Sequence, residues 1–162
     1  MRIREHPTSV KAPARLIDLD AYRTRIGFSN PSEPNLAALR DLHWRHVSTI
    51  PFENLDVVIG RRIDLEPAAL HRKIVERRRG GHCFESNALF MYALQALGFR
   101  VTALAARVLW EREDPSLPYR GHMLLKVDLP EGSYLSDVSF GGQTPRQPLK
   151  LDVGIIQSAG GE

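Results

Sequence analysis

The chain has 162 residues, 43% of them hydrophobic and 25% charged, with 22 Lys and Arg against 19 Asp and Glu and a formal charge of +3. That length suits one domain or two small ones with a real core, and the composition excludes a disordered or low-complexity chain. The charge excess is too weak for a nucleic-acid binder, no apolar run nears the roughly 18 residues of a membrane span, and the single cysteine, Cys83, excludes an internal disulfide framework. Met1 to His6 lacks the apolar core of a secretory signal, so a reducing, cytoplasmic home is expected.

The first half reads as helices. Asp18 caps a helix over Leu19 to Ile26 that Gly27 ends. Pro31, Ser32 and Pro34 mark a loop. From Asn35, Leu36, Leu39, Leu42, Val47 and Ile50 follow helical spacing, and Pro51 stops that helix. Pro67 opens a third helix with Leu70 and Ile74 inward, broken at Gly80-Gly81. The basic run from Arg72-Lys73 to Arg77-Arg78-Arg79 reads as a solvated helix end, with anion binding as the alternative. A fourth helix starts near Cys83, runs to Leu97 and is capped by Gly98.

The second half reads as strands. Arg100 to Trp110 is rich in Val, Ala and Leu, and Glu111 to Pro118 is a charged loop. His122 to Leu129 and Tyr134 to Phe140 form a hairpin around Pro130-Glu131-Gly132. Helices followed by antiparallel strands make an α+β fold, divided as a helical unit over 1–98 and a β unit over 99–162.

The chemistry concentrates in Arg79-Gly80-Gly81-His82-Cys83-Phe84-Glu85-Ser86-Asn87. The glycines let the backbone turn sharply and approach a ligand, and a cysteine in a first helical turn is favoured as thiolate. His122 follows 39 residues later and Asp137 another 15 on, flanking one hairpin turn. That order permits a Cys-His-Asp triad, with His accepting the thiol proton and Asp fixing the tautomer. The same residues also fit a small buried cysteine, an edge histidine and a turn-flanking carboxylate, and spacing alone leaves both open. His43 and His46, three apart on a helix, lack a third metal ligand nearby, so core or surface roles are expected and no metal site.

Together with Ile50-Pro51-Phe52-Glu53-Asn54-Leu55-Asp56, Leu97-Gly98-Phe99-Arg100-Val101, His122-Met123-Leu124-Leu125 and Asp137-Val138-Ser139-Phe140-Gly141-Gly142, this segment resembles the arylamine N-acetyltransferase family. The resemblance implies a helical domain, part of a β-barrel and a cysteine-protease-like triad. It implies Cys83 as nucleophile with His122 and Asp137, and Phe52 and Phe140 in the acceptor pocket. Arg79 and Glu53 brace the site. Gly141-Gly142 has a backbone open enough to approach substrate. The implied reaction is ping-pong acetyl transfer from acetyl-CoA to arylamines, arylhydroxylamines or hydrazines, in xenobiotic metabolism, without a metal. Acceptors would be small molecules rather than nucleic acids or membranes. Cysteine hydrolysis, transglutaminase-like acyl transfer and an inactive ligand-binding fragment are the alternatives. His82, Gly121 and Ser139 depart from the family pattern, which has an aromatic residue, Thr or Ser, and glycine there. The family continues past Gln157, so the resemblance reads this chain as lacking the lid and part of the barrel, with weak activity and an open edge available for self-association.

Overall fold

Local capping decides where the helices begin and end. In the computed structural model, which describes residues 17–29, 33–109, 118–152 and 154–158, helix α1 spans Leu19–Ile26. The Asp20 and Ala21 amides donate to Asp18 Oδ1, both at 3.0 Å, and Gly27 closes the helix at φ 69°. Helix α2, Leu36–Thr49, starts where the Ala38 amide donates to Asn35 Oδ1 at 2.9 Å and ends before Pro51. Helix α5, Cys83–Ala96, ends ahead of Gly98 at φ 88°. These three match the sequence reading.

Two elements differ from it. A single turn, α3 (Leu55–Val58), follows Phe52 and Glu53. The third helix begins at Pro67 as α4 (Pro67–Leu70) but continues as a π-helical turn over His71–Glu76. The Arg77 amide donates to Arg72 O at 3.0 Å and the Arg79 amide to Lys73 O at 3.2 Å, wider spans than an α-helix makes. Arg78, at φ 53°, then ends the helix two residues before Gly80. Arg72, Arg77 and Arg78 are exposed as expected, but the solvated reading fails for Lys73 and Arg79, whose side chains are paired and largely covered.

Strands β1 (Arg100–Ala106), β2 (His122–Leu129), β3 (Gly132–Ser136) and β4 (Leu149–Lys150) form an antiparallel sheet in the order β1-β2-β3-β4. The readings over Trp110 to Leu117 and at Pro31-Ser32 lie outside the described residues. Helix α5 is apolar nearly all round and packs against β1, β2 and α4. Tyr22, Leu39, Leu42, Leu70, Ile74, Leu89, Phe90, Leu94, Leu125 and Val127 are fully buried there. Each such side chain contributes about 1.5–3 kcal/mol by leaving water, so α5 is the central post of the fold. Among the described residues, no helix is long and apolar enough to cross a membrane.

His43 and His46, on α2, are both fully buried. His46 Nδ1 meets the Tyr22 hydroxyl at 2.9 Å, and burial lowers its pKa to about 3, so it stays neutral. His43 Nε2 lies 2.8 Å from Pro145 O and Nδ1 2.9 Å from Ser136 Oγ. A carbonyl only accepts, so Nε2 carries the proton and Nδ1 accepts from Ser136. His43 therefore fastens α2 to the residue just before Asp137.

Candidate active site

Cys83 stands at the first position of α5, where helix amides lack intrahelical partners. The loop ahead of it is held by a short parallel pairing of Phe52 with Gly81. The Glu53 amide donates to Gly81 O at 3.0 Å and the Gly81 amide to Pro51 O at 3.3 Å. A Cβ on Gly80 would fall 2.1 Å from Pro51 O, and one on Gly81 2.9 Å from Glu85 Cβ. Both glycines are thus required by close approach of protein to protein. The sequence reading had them approaching a ligand.

His122 opens β2, and the β2–β3 register, continued past Leu125 opposite Ser136, would set it opposite Ser139. The strand read to Phe140 stops at Ser136, and the chain leaves the ladder there. That departure brings Asp137 Oδ2 to 2.5 Å from His122 Nε2. His122 and Cys83 line one cavity, and with Nε2 on Asp137, Nδ1 is the ring nitrogen left unused by that contact. The structure therefore places Cys83 and His122 on one cavity wall with Asp137 behind the imidazole. Burial works against the imidazolium, but the bonds and charges of Asp137 and Cys83 outweigh it and raise the His122 pKa to about 9.

Asn87, one turn past Cys83 and fully buried, passed unremarked in the sequence. Its Nδ2 donates to Asp137 Oδ1 at 3.1 Å and to Met123 O at 2.8 Å, and its Oδ1 accepts from the Val138 amide at 3.1 Å. The Ser139 amide donates to Asp137 Oδ1 at 3.0 Å. The signal in the sequence was the four-residue step from Cys83, which puts both side chains on one helix face.

A cavity of about 360 Å³ opens over the thiol, lined by Phe52, Cys83, Val108, Gly121, His122, Ser139, Phe140 and Gln143. The Phe140 ring stands edge-on to His122, centroids 4.9 Å apart. Its loop is braced by Thr144, whose Oγ1 accepts from the Phe140 amide and donates to Gly141 O, both at 2.8 Å. Gly141 and Gly142, read as substrate-touching, line a different cavity of about 350 Å³ with Trp44, Val47, Ser48, Thr144 and Arg146. Their turn, Gly141–Gln143, stands between the two cavities, with Gln143 on the thiol side. The Gly121 amide is committed to Tyr119 O at 3.0 Å, so it is not a free donor toward the cavity.

Beside the Cys83 turn lies an ionic network. Arg79 pairs with Glu53, and its Nη2 lies 3.0 Å from Asp56 Oδ2. Glu53 Oε2 also accepts from the Gly80 amide at 3.0 Å. Lys73 Nζ reaches Asp56 Oδ2 at 2.8 Å and Glu85 Oε1 at 2.7 Å. Hydrogen bonding to Lys73, then to Arg79, lowers the Asp56 pKa to about 2 against its desolvation. His82, the departure beside the nucleophile, turns its Nδ1 to Glu85 Oε2 at 2.8 Å. Arg79 and Glu53 are thus joined to each other and, through the Gly80 amide, to the loop before Cys83.

The N-acetyltransferase family model matches residues 35–161. The arylamine N-acetyltransferase of Mycobacterium tuberculosis is 50% identical over 145 residues, covering 87% of this chain and 51% of its own length. The chain belongs to the arylamine N-acetyltransferase family. A family member of Salmonella typhimurium, named arylamine N-acetyltransferase / N-hydroxyarylamine O-acetyltransferase, is 47% identical over 139 residues, covering 86% of this chain and 49% of its own. The structure of the Mycobacterium marinum family enzyme in complex with CoA superposes at TM-score 0.81 with 44% identity, covering 87% of this chain and 53% of that one. The chain spans about half the length of the curated relatives it matches.

Proposed function

We propose that the chain carries the acetyl-transfer centre of an arylamine N-acetyltransferase, using acetyl-CoA as donor and arylamines, arylhydroxylamines or hydrazines as acceptors. Residues 1–98 supply the nucleophile and residues 99–162 the histidine and aspartate. The observation that carries the reading is that Cys83 and His122 line one largely apolar cavity while His122 Nε2 lies 2.5 Å from Asp137 Oδ2.

In the first half-reaction His122 takes the Cys83 proton and the thiolate attacks the acetyl-CoA carbonyl. Asp137 stabilises the imidazolium that results. The Cys83 amide, at the start of α5, faces the developing oxyanion. The intermediate collapses with loss of CoA thiolate, which takes the proton from His122, and acetyl-Cys83 remains. One thioester replaces another, so little free energy is spent. In the second half-reaction a neutral arylamine attacks acetyl-Cys83, His122 receives its proton, and the amide leaves with the thiolate restored. Phe52 and Phe140 hold the aromatic ring, and Val108 completes an apolar wall that keeps water from the acetyl-enzyme.

The test is incubation with acetyl-CoA and 5-aminosalicylate, alongside Cys83→Ala. The expected result is a gain of one acetyl group on Cys83 by intact mass, discharged on adding the amine, with none in the variant. Equal product formation by both proteins defeats the reading. An acetyl-enzyme that decays in water and ignores amines replaces it with a hydrolase.

A further inference from the structure

Glu85 lies two residues after Cys83 in the same first helical turn, with its side chain only 4% exposed. Its Oε2 accepts from the His82 amide at 3.1 Å as well as facing His82 Nδ1. The carboxylate is therefore folded back onto the residue just before Cys83. A negative charge there opposes formation of the Cys83 thiolate. Lys73 answers it from the π-helical turn, 14% exposed and 2.7 Å from Glu85 Oε1.

The network is asymmetric around Lys73. Asp56, its other partner, also pairs with Arg79 at 3.0 Å and Arg61 at 3.4 Å. Among the described residues Glu85 pairs only with Lys73 and His82, and His82 is a cation only when protonated. Removing the lysine leaves Asp56 neutralised and Glu85 without a permanent counter-charge. The remaining charged and titratable groups around this turn are His122 and Asp137 from the sheet side and Glu53 and Arg79 from the loops, the last two paired to each other.

We propose that Lys73 is a positioning residue for Cys83, which it serves by neutralising the Glu85 carboxylate within the nucleophile's own helical turn. This rests on the reading of Cys83 as nucleophile. Burial works against the Lys73 ammonium, but its bonds to Asp56 and Glu85 outweigh that and raise its pKa, so the charge persists through the neutral range. Burial likewise opposes the Glu85 carboxylate, and its bonds to His82 and Lys73 keep it ionised.

Because Cys83 is the only cysteine, iodoacetamide alkylation followed by intact mass reports its thiolate at each pH, whatever the acetyltransferase activity. Lys73→Met is expected to raise the midpoint by about one unit and slow alkylation near pH 6 about tenfold. Lys73→Arg is expected to keep the wild-type profile, and Lys73→Met/Glu85→Gln to undo most of the shift. An unshifted Lys73→Met midpoint, or a double variant as displaced as the single, overturns the proposal, because loss of packing alone does not reverse when a second group is altered. If Lys73→Met does not fold, Glu85→Gln alone decides. A midpoint below wild type supports the proposal, and one at or above it overturns it. Failure of wild-type Cys83 to gain an acetyl group from acetyl-CoA defeats the nucleophile reading itself, while the single-to-double difference in alkylation still decides the part played by Lys73.

Discussion

Asn87 donates its side-chain amide to Asp137 Oδ1 at 3.1 Å from one turn beyond Cys83 on the same helix. One rigid element thus carries the thiol and aims the carboxylate that faces His122. Because Asn87 is buried and makes three hydrogen bonds, Asn87→Ala strands the Val138 amide and frees Asp137 to turn. Expected consequences are a loss of about 1–3 kcal/mol in unfolding free energy and a fall in kcat of roughly tenfold to a hundredfold with acceptor KM nearly unchanged. Steady-state kinetics and denaturant unfolding check both, and a change confined to KM contradicts the assignment.

The His122–Asp137 contact makes stability depend on pH with a definite sign. The folded-state pKa of His122, about 9, lies above the roughly 6.5 of an unfolded histidine. The imidazolium therefore contributes stability that is fully present below about 6.5 and is lost as pH rises through about 9. Asp137→Asn removes the main attraction holding that proton. Thermal melts of the two proteins should differ most near pH 6 and converge above pH 9. Parallel melting curves across that window contradict the prediction.

How far the sequence could be read follows the range of the forces involved. The ends of α1, α2 and α5 were legible because Asp18, Gly27, Asn35, Pro51 and Gly98 act within a turn of themselves. Helix α3 was not, since no side-chain cap at Asn54 marks it; it places Asp56 for Lys73 and Arg79, 17 and 23 residues away. The same long-range pairing explains why Lys73, in a basic run, reads as solvated and is not. Strand β3 was overrun for a related reason. Its pattern continues apolar through Val138 and Phe140, but Asp137 must leave the ladder to meet His122 and Asn87. Cys83, His122 and Asp137 were legible as residue types in order; their contacts, and Asn87's part in them, were not.

Phe140 offers a way to separate the two half-reactions proposed above. Its ring stands edge-on against His122 and walls the cavity, while the His122–Asp137 bond does not involve it. Phe140→Ala should leave the rate of acetyl-Cys83 formation within about twofold of wild type and lower kcat/KM for an arylamine about tenfold, the worth of an aromatic contact. Stopped-flow acetylation and acceptor titration measure the two independently. An equal loss in both assigns Phe140 to the support of His122 instead.

Gly80 and Gly142 provide a matched pair of backbone tests. A methyl on Gly80 would meet Pro51 O at 2.1 Å and Glu53 Cβ at 2.9 Å, and neither can retreat, because the Glu53 amide and Pro51 O both pair with Gly81. Gly80→Ala must therefore pry the Phe52 loop from the turn before Cys83. A Cβ on Gly142 meets nothing within 4 Å, and its backbone is not left-handed. Overpacking of this kind costs about 1–3 kcal/mol, so Gly80→Ala should lower the melting temperature and slow Cys83 alkylation together. Gly142→Ala should leave both unchanged. If Gly80→Ala instead keeps wild-type melting and alkylation, the parallel pairing of Phe52 with Gly81 is not what holds the nucleophile loop.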